Sequence, residues 1–282
     1  MKTKIIIIIC FYFALSLHIS SVSADEFRDL NFKLFDAAKE GKIVEVKQLI
    51  GKGASVKARN RFGNSALIYA AKSGNLDLVK YLVDKGSPIN LVNTRGRNSL
   101  MEASKGGYLD VVNYLLMHGS EINHYSLKKV TALADAVYGK HIKVVQLLIE
   151  HDARVDIVDN TGKTALIYAA ANGNLEIIKL LLPKTVDVNQ KFGHDLTVLM
   201  WAAGYGQLDV AVLFLDAGAD ANLQDDRGKT ALMMAAKGGH VELVKELLIR
   251  GAKSELKDNE GNSVHDLANE NVIHVLSVQT NT

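Results

Sequence analysis

Residues 228–252 read GKTALMMAAKGGHVELVKELLIRGA, and nearly the same string recurs upstream at one fixed distance. Steps of 33 residues back from Leu232 fall on Leu199 in TVLMWAAGYG, Leu166 in TALIYAAANG, Leu133 in TALADAVYGK, Leu100 in NSLMEASKGG and Leu67 in SALIYAAKSG. One more step reaches Leu34 in KLFDAAKEG, and a step forward reaches His265 in GNSVHDLANE. Self-similarity at a single period of this size marks a stack of small units, none of which can bury its own apolar surface.

Each unit carries its own punctuation. Ser65, Asn98, Thr131, Thr164, Thr197, Thr230 and Ser263 stand just before an apolar segment, and each has a side-chain oxygen able to accept from a free N–H at a helix start. Gly74, Gly107, Gly173, Gly206 and Gly239 follow at the place where a short helix closes with a left-handed residue. A second helix is expected in NLDLVKYLVDKG and HVELVKELLIRG, whose apolar residues repeat at helical spacing, with Gly53, Gly86, Gly119, Gly218 and Gly251 at its end. A turn-rich extended link such as KARNRFGNS then leads to the next unit. Stability of such a stack is roughly a sum of unit and interface terms, and its ends need polar outer sides. The first cap falls on 25–60, six internal units on 61–257, and a truncated cap with a tail on 258–282. At the last cap, Glu270-Asn271-Val272-Ile273 lacks the usual glycine, so its second helix is expected to be short.

The pattern G-x-T-A-L-x-x-A-A-x-x-G-x-x-x-x-V-x-x-L-L-x-x-G-A, matched closely at 162–182 and 228–252, resembles the ankyrin repeat family over about 25–276. The resemblance implies an all-α solenoid of stacked helix pairs with hairpin-like links, used for protein recognition rather than catalysis. The family's proline after the capping Thr is replaced by Ala66, Ser99, Ala132, Ala165, Val198 and Ala231. Its histidine two places further on becomes Ile68, Met101, Ala134, Ile167, Met200 and Met233, which exchanges polar contacts between neighbours for an apolar ladder.

The first residues stand outside the array. Lys2 and Lys4, the apolar run from Ile5 to Leu17, and the small residues Ser21 to Ala24 have the layout of a secretory signal peptide, 1–24, cleaved before Asp25. The apolar run is short of the roughly 20 residues a bilayer core requires. Cys10, the only cysteine, lies within it, so the mature chain has no thiol and no disulfide. Removal of 1–24 takes away two lysines and no acid, leaving 31 basic and 31 acidic side chains. That balance gives no reason to expect nucleic-acid binding or membrane association. The absence of any Asn-X-Ser/Thr sequon, with abundant Lys, Ile and Asn, leans towards a bacterial source and a periplasmic or secreted address. The expected mature protein is a monomer.

Departures from the repeat are the places to look for function, because the shared residues serve stacking. Lys129 and Asp195 take glycine positions in two links, Lys140 replaces a helix-ending glycine, and Pro183 with Thr185 replaces another, where a turn of different geometry is expected. Drift tolerated at exposed turns is the plainer explanation of these changes. On the inner side of the first helices, Tyr69, Tyr138, Tyr168, Trp201 and Tyr205 are candidates for the floor of a concave binding groove, since Trp and Tyr are enriched at binding hot spots. Their alternative role is to cover the ends of neighbouring helices. The early links add a basic stripe, with Lys57, Arg59, Arg61, Arg95, Arg97, Lys128 and Lys129 and no acid, whereas later links carry Asp159, Asp225, Asp226, Asp258 and Glu260. Such a stripe steers an anionic partner, or is simply a solvated edge.

Catalytic and metal chemistry find little footing. His141 and His240 sit at the family's ordinary place after the turn, and His118 and His151, one period apart, have no recurring third ligand. His124, His194 and His265 do not add one. No serine lies in a G-x-S-x-G turn, and Gly162-Lys163 and Gly228-Lys229 lack the upstream glycine of a phosphate loop. The expected function is therefore a scaffold without cofactor or metal that holds another exported protein, as accessory or inhibitor of a periplasmic enzyme. An effector or toxin-neutralising protein aimed at a foreign target would have the same sequence features.

Overall fold

A computed structural model describes residues 24–279. The signal-peptide assignment falls on residues 1–24 and so lies, but for Ala24, outside them. The described residues form sixteen α-helices and no strand. First helices are α1 (Ala24–Lys39), α3 (Ala66–Lys72), α5 (Ser99–Gly106), α7 (Ala132–Tyr138), α9 (Ala165–Ala171), α11 (Val198–Gly204), α13 (Ala231–Gly238) and α15 (Val264–Leu267). Second helices are α2 (Ile43–Gly51), α4 (Leu76–Asp84), α6 (Leu109–Met117), α8 (Ile142–Glu150), α10 (Leu175–Leu181), α12 (Leu208–Asp216), α14 (Val241–Ile249) and α16 (Glu270–Gln279). Each first helix from α1 to α13 packs on its own second helix, successive first helices from α1 to α15 pack on one another, and successive second helices from α4 onward form an outer row.

Local chemistry sets the boundaries. The side chains of Ser65, Asn98, Thr131, Thr164, Thr197 and Thr230 each accept from the backbone N–H three residues on. Each such cap stabilises its helix by about 1 kcal/mol. Ser263 differs: its hydroxyl and its N–H both donate to Asp266, at 2.7 and 2.8 Å.

The helix-ending glycine does two things. At Gly107 the backbone is left-handed, with φ of 74°, and a Cβ there would come within 2.4 Å of the His141 ring from the next unit. Gly206 receives His240 in the same way. Lys140 keeps the left-handed backbone, φ of 58°, without a glycine, and so does Lys129 at 56°. Those turns therefore retain the repeat geometry despite the substitution. Thr185 does not: its φ is −84°, after a 3₁₀ turn at Leu182–Lys184 that contains Pro183.

The core is one continuous apolar row. Leu34, Leu67, Leu100, Leu133, Leu166, Leu199 and Leu232 are all buried at the 33-residue spacing, each worth about 2 kcal/mol of transfer free energy. Ile68, Met101, Ala134, Ile167, Met200 and Met233 are buried beside them, which is the apolar ladder expected in place of the family histidine. The C-terminal end corrects one expectation. The first helix, α15, is the shortened one, while α16 runs for 10 residues. Ala268 turns extended and Asn269 restarts the helix, its Oδ1 accepting from the Asn271 N–H and its own N–H donating to Ala236 O.

Candidate binding groove

Link residues Phe62, Thr94 and Arg95 line one hollow together with Lys39, Tyr69 and Lys72 of the first helices, so the links form a second wall beside those helices. A polar anchor recurs at each link, in Asn60, Asn93, Ser126, Asp159, Asp225 and Asp258, again 33 residues apart except where Phe192 interrupts. Asp159 Oδ1 accepts from the N–H groups of Thr161 and Lys163, and Asp225 Oδ1 from those of Arg227 and Lys229. Backbone bonds then join neighbouring tips: Thr94 N–H to Phe62 O, Leu127 to Arg95, Asn160 to Lys128, Asp226 to His194 and Asn259 to Arg227. This periodic anchor was not picked out in the sequence, though its spacing was visible. It also corrects the charge reading of the later links, because Asp159, Asp225 and Asp258 are buried turn-formers rather than surface charge. A second such series, Asn90, Asn123, Asn189 and Asn222, accepts from the N–H of the next unit, at Glu121, Arg154, Asp220 and Lys253. Asp156 breaks it, pairing with Arg154 instead, one unit before the irregular turn at Thr185.

The five candidate aromatics divide into two kinds. Tyr69 is half-buried and accepts from Asn60 Nδ2 at 2.8 Å, holding its own link in place. Tyr168 donates to Asp159 Oδ2 at 2.5 Å. Burial, then the adjacent Asp159 carboxylate, pushes the Tyr168 phenol above its ordinary range. Burial works against the Asp159 charge, but hydrogen bonds from Tyr168 and Thr161 outweigh it and hold that carboxyl below its usual range. Tyr138 and Tyr205, by contrast, are largely exposed, 65% and 57%. Tyr138 meets Tyr168 edge-on with centroids 6.0 Å apart, and Tyr205 stacks on Trp201 at 6.1 Å. Between the pairs, Lys163 Nζ lies 5.1 Å from the Trp201 ring and 5.8 Å from Tyr168, an arrangement sequence reading missed. Leu196, Met200, Trp201, Tyr205 and Met234 line a hollow of about 180 Å³ beside it.

The basic candidates also separate. Arg61, Arg95, Lys128 and Lys129 are exposed, and among the described residues none has an acid within ion-pair distance. Arg97 lies apart from them: its Nε donates to Glu102 at 2.5 Å and its Nη2 pairs with Asp135 at 2.9 Å, all three side chains being mostly buried. Burial raises the Asp135 carboxyl above its ordinary range, and the lowering influence of Arg97 does not cancel it. His118 and His151 each turn back to a carbonyl of their own helix, Tyr114 and Leu147. Among the described residues no group of three or more His, Cys, Asp or Glu side chains is placed to hold a metal ion, and no helix is long and apolar enough to cross a membrane.

Stacked helix pairs, glycine-closed first helices and anchored link tips define a repeat protein of the ankyrin type. The family model "Ankyrin repeats (3 copies)" matches residues 34–126, 121–192 and 197–278, and the chain belongs to the ankyrin repeat family. No curated protein matches the sequence. Ankyrin repeats generally mediate protein–protein interaction, and nothing in the arrangement points to catalysis.

Proposed function

We propose that this chain is a non-enzymatic binding protein, exported by its signal peptide to the periplasm or beyond, that holds another exported protein as its accessory or inhibitor. The partner lies in the groove between the first helices and the link tips. The observation that carries this reading is the exposure of Tyr138 and Tyr205 on the groove floor, next to the hollow at Trp201. Aromatic rings held rigidly by neighbouring rings, and still open to solvent, contribute large contact area at low entropic cost. The mature chain acts as a monomer in this account.

The test is recovery of partners from the extracytoplasmic fraction with the wild-type chain and with Tyr138→Ala combined with Tyr205→Ala. These two positions are chosen because Tyr69, Tyr168 and Trp201 also support the fold. Loss of one or more partners is expected. Equal recovery of every partner by both chains would refute the groove as the contact, and finding the protein only outside the cell would favour an effector acting on a foreign target.

A further inference from the structure

We propose that the groove is polarised along its length and takes an extended protein segment in which a run of acidic residues is followed by an aromatic or aliphatic one. This rests on the binding role above and specifies the chemistry of the partner.

The equivalent groove position in successive units is Lys39, Lys72, Lys105, Tyr138, Ala171, Gly204 and Lys237. Lysines near the end of a helix would also suit the helix dipole. That role applies equally to every unit, yet the row changes to tyrosine and small residues in the fourth to sixth units, between the lysine run and a single Lys237 in the seventh. Lys39, Lys72 and Lys105 are exposed and, among the described residues, none is in an ion pair. The acids nearby are largely spoken for. Glu40 is held by Lys42 at 2.6 Å, and Glu102 and Asp135 are held by Arg97, which leaves Asp36 at the terminal helix and the Coulombic pull of Asp135 on Lys105.

Lys39 and Lys72 line a hollow of about 290 Å³ together with Arg95, Tyr69 and Phe62. Phe62 is half-exposed and Arg61 lies over its ring at 4.7 Å, so the outer wall of this end is also cationic. Beyond Lys105 the floor becomes Tyr138, Tyr168, Trp201 and Tyr205; the hollow at Met234 is lined mainly by apolar groups, its one charged residue, Arg227, is paired with Asp225, and Lys163 lies over the Tyr168 and Trp201 rings. Charge complementarity thus places carboxylates over the first three units and an apolar side chain over the fourth to sixth. Packed helices stand about 10 Å apart and an extended chain advances about 3.3 Å per residue, so acids at every third position match the lysine row.

The test uses two fluorescein-labelled peptides, one with Glu at every third position followed by Leu-Trp-Leu, the other with Gln in place of each Glu. Anisotropy titrations with the purified chain should show binding of the Glu peptide that weakens about tenfold or more between about 0.05 and 0.5 M salt. Lys39→Glu, Lys72→Glu and Lys105→Glu together should abolish it. The same lysines changed to Gln guard against misfolding by charge reversal, and should weaken binding while leaving the circular dichroism melt unchanged. Tyr205→Ala should weaken binding without altering the salt dependence. Equal binding of both peptides, or no response to the lysine variants, would overturn the proposal. So would association with phosphatidylserine vesicles in preference to the peptide. A native partner still retained by the lysine variants would sink this inference alone and leave the binding role standing.

Discussion

Arg97 bridges two units, its Nη2 lying 2.9 Å from Asp135 in the next first helix while its Nε holds Glu102 of its own. Replacing it by methionine keeps the volume but leaves two mostly buried carboxylates without a counter-charge, which costs about 3 kcal/mol. Urea unfolding of Arg97→Met should show that loss at neutral pH. A change below about 1 kcal/mol would mean that solvent screens the site as it does surface pairs.

Asp135 and Asp159 should have opposite pH signatures. The folded-state pKa of Asp135 is raised, so its stabilising contribution is complete below the unfolded value, near 3.9, and is lost as pH rises through the folded value. Asp135→Asn removes that decline, so the variant's stability relative to wild type should grow as pH rises from about 4, the unfolded value, through the raised folded one. A flat or falling difference in urea titrations across that window would contradict the assignment.

The folded-state pKa of Asp159 is lowered, so its contribution is present above the unfolded value and lost as pH falls through the folded one. Asp159→Ala removes charge-assisted bonds to Tyr168, Thr161 and Lys163 and should cost about 2 kcal/mol at pH 7. Thermal melts should show the deficit shrinking in acid. Tyr168→Phe, which removes one of those bonds, should cost about 1 kcal/mol.

Glycine positions give a paired prediction. Lys129, at φ of 56°, occupies a conformation that disfavours a Cβ, so Lys129→Gly should stabilise the chain by about 0.5–1 kcal/mol after the unfolded-state entropy of glycine is set against the relieved strain. Gly107→Ala should destabilise by more than about 2 kcal/mol, because it adds a Cβ both to a left-handed residue and against His141. His141→Ala in the same chain should recover part of the loss. Full additivity of the two changes would show that the ring does not meet that Cβ.

These contrasts show which physics a sequence makes visible. Leu34 to Leu232, the capping Ser, Asn and Thr residues and the helix-ending glycines were legible because each acts within its own unit or at one fixed spacing. The apolar ladder that begins at Ile68 was legible for the same reason. The roles of Asp159 and Arg97 were not, since both had been read as surface charge, and only packing reveals that one closes a turn and the other spans two units. The aromatic row is visible in the sequence as a period, but its division into Tyr69 and Tyr168, which hold links, and Tyr138 and Tyr205, which face solvent, is not. Nor did periodicity anticipate that α15 rather than α16 is the shortened helix, because that depends on Asn269 meeting the previous unit.

The central claim is that the groove between the first helices and the link tips is the working face. Crosslinking mass spectrometry in the native cell tests it most directly, since it names the neighbour and maps the contact together. Partner crosslinks are expected at groove residues such as Lys72, Lys105 and Lys163. Crosslinks confined to the outer helices, at Lys80, Lys143 or Lys179, would contradict it.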